Sequence, residues 1–160
     1  MNPVDILYYG HRTVLTTVQS FPSGEWYTPG AVGYWSAKDV IAHLASFEIP
    51  LAELLTSLVE ACPTPNLEAF IQRGADFNDL QVEQRREMTL EQVLAEYRQA
   101  YEQAAAAAAK IPAGTWEREG LLPWYGAQYD LEDFIVYSYY GHKREHCGQI
   151  QTFSDRFKQG

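Results

Sequence analysis

Cysteine is nearly missing from this chain: Cys62 and Cys147 are the only two among 160 residues. Two isolated thiols make no disulfide scaffold, and such sparse usage fits a reducing compartment. Basic residues are also scarce, 12 against 21 acidic ones for a formal charge of −9. The densest basic spots are the pairs Arg85-Arg86 and Lys143-Arg144, with no stripe to follow a phosphate backbone, so nucleic acid is not an expected partner. No stretch reaches transmembrane length without polar interruption, and an acidic surface does not invite anionic membranes. The opening Met-Asn-Pro-Val-Asp has no basic segment leading into an apolar run, so no signal peptide is expected. Internal repeats, domain linkers and Val/Ile runs bounded by hairpin turns are missing as well. These absences leave one soluble, cytoplasmic, all-α domain over residues 1–160 as the expectation.

Helical periodicity fills the space. A first helix is predicted from Asn2 or Pro3 to Gln19, with Val4, Leu7, Tyr8, His11, Leu15 and Val18 on its inner stripe. Ser36 and Asp39 form a capping box for a second helix running to about Glu60, with Trp35 and Val40 as its staple. Pro50 falls inside that helix and predicts a kink or break near Ile49. Thr89 and Gln92 box a third helix, and Ile111-Pro-Ala-Gly ends it. The fourth starts near Asp130, with Asp133 close to its positive end and Leu131, Phe134, Ile135, Ser138, His142, His146, Gln149, Ile150 and Phe153 on its inner surface. Residues 67–87 read as a short helix or an ordered loop. Four long helices joined by long aromatic-rich loops predict a four-helix bundle.

Chemistry concentrates in the last helix. His142 and His146 stand four residues apart, so their imidazoles project from one face, one turn apart, and can close on one ion. His43 lies 99 residues upstream on the inner stripe of the second helix. Apolar residues pack more easily at such positions, so three histidines there point to a divalent metal site: zinc, nickel or iron all accept imidazole. The segment is not the protease signature, because Lys143 stands where that motif has glutamate. His11, Ser138, Tyr139 and Gln149 are candidates for the groups behind the ligands, with ordinary core packing as the competing role for each. Cys147 is rotated about 100° from His146 and carries no assigned chemistry. Arg85 and Arg86 read as solvated charges, with anion binding as the alternative.

The stretch Trp35-Ser-Ala-Lys-Asp-Val-Ile-Ala-His43-Leu resembles the second-helix motif of the DinB/YfiT-like metalloenzyme superfamily. The closing Gly-His142-Lys-Arg-Glu-His146-Cys-Gly-Gln149-Ile resembles its C-terminal H-x-x-x-H…Q-I motif. Phe77-Asn78 with Arg85, followed by Thr89-Leu-Glu-Gln-Val, is similar to its middle segment. The resemblance implies a DinB-type four-helix bundle, often a homodimer, with a divalent ion on His43, His142 and His146. It also implies one of two activities on a small-molecule substrate. One is S-transfer or isomerisation dependent on a low-molecular-weight thiol; the other is metal-dependent hydrolysis. No residue acquires a catalytic role from it. A non-catalytic, metal-stabilised bundle that binds a small molecule is the alternative outside enzymology.

Overall fold

The computed structural model describes residues 2–158. Asn2 caps α1 (Pro3–Ser20) by accepting a hydrogen bond from the Val4 amide, and Pro3 occupies the first turn, where no amide hydrogen is needed. The chain then forms a small hairpin, β1 (Pro29–Val32) and β2 (Trp35–Ser36), which the sequence did not announce. Gly33 turns it with φ +57°, in the left-handed region that a two-residue hairpin loop requires. This hairpin delivers Ser36 to the start of α2 (Ala37–Ser57), where the Ser36/Asp39 capping box is complete.

Between α2 and α5 (Leu90–Ala108) lie two short helices, α3 (Pro65–Ile71) and α4 (Phe77–Gln84), where the sequence left one helix or a loop open. Lys38 is buried and donates to the carbonyls of Arg85 and Arg86 at 2.6 and 3.0 Å, closing the end of α4 against α2. Arg85 is itself buried, donating to Glu96 at 2.5 Å and to Gln81. It is a structural cation and not the solvated charge expected. The Thr89/Gln92 box starts α5 as predicted. After the one-turn α6 (Ala113–Trp116), Asp130 caps the last helix with Asp133 at its reciprocal position.

That last helix is continuous but not uniform. It comprises α7 (Leu131–Ile135), a π-helical turn (Val136–Tyr140) and α8 (Gly141–Asp155). The Gly141 amide reaches the Val136 carbonyl, five residues back. A π turn takes in extra residues, so the buried side recurs every fourth position: Leu131, Ile135, Tyr139, Lys143, Cys147. Tyr139 therefore faces inward where Ser138 was expected.

Four long helices thus build the core, but the described residues contain additional short ones, so a plain four-helix bundle understates the fold. Of the kink or break expected near Ile49, the break is absent: Pro50 is buried within a continuous α2. On α1 the inner stripe is Ile6, Leu7, Gly10 and Val14, while Tyr8 is 48% exposed. By length and composition α2 could span a membrane, yet 72% of its apolar window is buried as the central helix of the bundle.

The core divides into two apolar halves. One gathers Leu7, Leu55, Phe70, Ala104, Phe134 and Tyr139; the other gathers Val14, Val40, Leu44, Val93, Ile150 and Phe153. Between them, at the level of Gly10, His43, Tyr101 and His142, runs a layer of polar side chains.

Candidate metal centre

Two helices bring three histidines together in that layer. His43 comes from the middle of α2, where its stripe is otherwise apolar; His142 and His146 come from the first turns of α8, just beyond the π turn. The Nε2 atoms of His43 and His142 are 3.0 Å apart, as are those of His142 and His146. All three ligand atoms lie within 4.8 Å of one another. Nitrogens on a shared tetrahedral ion of bond length ~2.0–2.1 Å stand about 3.3 Å apart, so only a small expansion would admit one. The donor set and its convergence fit a borderline divalent metal.

Each ring is held differently. His146 Nδ1 is 2.7 Å from Gln149 Oε1, and that contact places the proton on Nδ1 and leaves the Nε2 lone pair facing inward. His43 is packed between Trp35 and Phe47, with ring centroids at 5.1 and 4.8 Å, and its Nδ1 is buried without a hydrogen-bond partner. His142 is stacked on Phe47 at 4.6 Å and is the half-exposed member of the group. Burial, then neighbouring histidines, holds His43 and His142 down to about 3, so both are neutral in ordinary solution. Neutral imidazole is the ligating form.

Of the groups expected behind the ligands, only Gln149 touches a cluster histidine. Tyr139 donates its hydroxyl to the Phe47 carbonyl at 2.9 Å, which steadies the ring under His142 without reaching the cluster. Ser138 sits on the wall of a 550 Å³ cavity with Arg73, Trp124, Tyr125 and Phe134. His11 lies apart, its Nδ1 3.1 Å from the Tyr97 hydroxyl and its ring stacked 3.7 Å from Tyr101. Burial foremost, with Lys143 and Arg98 adding repulsion, pushes His11 down to about 4. Cys147 is buried, which raises its thiol above the usual range and leaves it poorly placed as a nucleophile.

Sequence reasoning missed the other half of the polar layer. Lys143 is 2% exposed and Glu48 0%; Lys143 Nζ donates to Oε1 at 3.0 Å and lies 2.9 Å from Oε2. The signal was present, because Glu48 falls on the apolar stripe of α2 between Leu44 and Leu51. Lys143, noted in the sequence only as half of a basic pair, lies just after the π turn and is buried.

No curated protein and no solved structure gives a significant match. Residues 9–135 match the family described as the mycothiol maleylpyruvate isomerase N-terminal domain. The matched segment includes His43 and ends at Ile135, within the last helix and before the turns that carry His142 and His146. With that coverage and the three-histidine cluster together, the chain belongs to this family, within the DinB/YfiT-like superfamily.

Proposed function

We propose that the protein is a divalent-metal-dependent enzyme that activates a low-molecular-weight thiol for S-transfer or isomerisation. The observation carrying this reading is the convergence of three imidazole nitrogens that no carboxylate joins among the described residues. A divalent ion held by three neutral donors keeps its full charge and, when bound, would lower the pKa of a thiol or a water at its open position. The protein supplies the rest. Gln149 orients His146, and burial keeps His43 and His142 unprotonated. Trp35 and Phe47 cover the inner side of the cluster and leave His142 as its more accessible edge. An ion on three neutral donors would activate a thiol or a water alike, so the preference for a thiol rests on the description of the matching family.

That description names mycothiol and an isomerase. The 550 Å³ cavity bearing Ser138, four residues before His142, is lined by none of the three histidines; it offers room for the body of a cosubstrate, with Arg73 as a donor and Trp124 and Tyr125 as flat walls. The guanidinium of Arg73 is steadied over the Phe70 ring at 4.0 Å. A cytoplasmic homodimer completes the proposal.

The test is turnover of metal-loaded protein with mycothiol, bacillithiol and glutathione in turn, against electrophilic and isomerisable acceptors. Thiol-dependent turnover that vanishes in His142→Ala, with a raised thiol KM in Arg73→Ala, is the expected result. Hydrolysis without any thiol would move the assignment to a hydrolase. Metal-loaded protein inert with every thiol and acceptor would leave a metal-stabilised binding bundle.

A further inference from the structure

We infer that Glu48 and Lys143 are positioning residues for the histidine cluster: their buried contact fixes the rotation of α8 against α2 and so keeps His142 and His146 facing His43. The inference rests on the metal-site reading above but concerns how the apoprotein is built.

The pair sits where all four long helices meet. Glu48 comes from α2 and Lys143 from α8, while the Tyr97 and Tyr101 rings of α5 lie 5.3 and 5.9 Å from Nζ. From α1, Gly10 makes room for the lysine stem: a Cβ there would stand 3.4 Å from Lys143 Cδ. The histidines are close along the chain, Lys143 directly following His142 and Glu48 five residues beyond His43. Any rotation of α8 that parted the ion pair would therefore also turn the two imidazoles away.

Apolar packing holds α8 through Cys147, Ile150 and Phe153, all beyond the histidine segment. From Gly141 to His146, α8 contributes no side chain to either apolar half of the core. The π turn immediately before it leaves this segment without the regular spacing that ridges and grooves need. A buried ion pair is a weak source of stability, since apolar residues of similar size often replace it without loss, but it is directional.

The test uses the Glu48→Leu/Lys143→Met double variant beside wild type, with cobalt(II) as the metal probe. In both proteins, the cobalt dissociation constant and visible ligand-field spectrum are measured. In the metal-free proteins, NMR cross-relaxation is followed between the His43 and His142 imidazole protons, whose rings lie 4.9 Å apart. The double variant should melt at or above the wild-type temperature, yet lose the imidazole cross-peaks and bind cobalt at least about tenfold more weakly with an altered spectrum. Retained cross-peaks with wild-type cobalt affinity would overturn the inference. Wild type that takes up no cobalt, with cross-peaks still lost in the variant, would sink the metal reading and keep the positioning role. Should the double variant not fold, Glu48→Gln carries the same two readouts: weaker cross-peaks and weaker cobalt binding support the inference, and no change in either overturns it.

Discussion

One polar layer of the bundle holds two clusters that differ in kind. Glu48 and Lys143 balance each other: both are fully buried, opposite in charge, and in contact at 2.9–3.0 Å. The three histidines have no such completion. Their nitrogens converge with no counter-charge among the described residues; a missing hydrogen bond does not separate the two clusters, since His43 Nδ1 and Glu48 Oε2 are both buried without one. A closed polar pair holds a structure together, whereas an open set of donors signals a site awaiting something else. Neighbouring positions on the same two helices therefore serve different ends.

The largest expected effect tests the closed half. Lys143→Met alone strands a buried carboxylate and should destabilise the protein by about 3–5 kcal/mol in urea unfolding. A loss under 1 kcal/mol would mean that the pair is solvated, and the contrast would dissolve.

Acid separates the clusters next. His43 and His142 lie near 3 in the folded protein and at the ordinary 6.5 when unfolded. Their folded values are depressed, so stability is level above pH 6.5 and falls as pH drops toward 3, where the unfolded chain alone takes up protons. The slope should be about 1.4 kcal/mol per pH unit for each of these two histidines in metal-free protein, with His11, held down to about 4, adding its own share over the same range. Denaturation midpoints at pH 7.5, 6 and 5 measure it. Equal midpoints would contradict the burial of the histidines.

Both clusters lay in the sequence, but only one was legible. The histidine set could be read because H-x-x-x-H geometry is local and His43 interrupts an apolar stripe. Capping boxes at Ser36/Asp39 and Thr89/Gln92 were legible for the same reason: each is complete within four residues. The π turn at Val136–Tyr140 was not, since one hydrogen bond shifted to the fifth residue leaves no trace in apolar spacing. That single shift exchanged Ser138 for Tyr139, just ahead of the buried Lys143. Burial of Arg85 likewise depends on Glu96 and on the position of α4, contacts between segments that polar residues 67–87 did not announce.

Smaller effects sharpen the open half. Gln149→Leu removes the group that orients His146 and should weaken zinc binding about 10–100-fold in competition titrations, with little change in melting. Unchanged affinity would make the Gln149 contact incidental. Smallest of all is His43→Leu in metal-free protein. Because its Nδ1 has no partner, leucine should alter stability by less than about 1 kcal/mol, or raise it, in the same urea assay. A large loss would show that His43 holds the fold together as the ion pair does.

The central claim is that the open cluster holds a metal. Elemental mass spectrometry on untagged protein, beside His43→Ala, His142→Ala and His146→Ala, measures this most directly. The account predicts near-stoichiometric divalent metal in wild type and its loss in all three variants. Wild-type protein that carries no metal and takes up none of zinc, nickel, iron or manganese would contradict it.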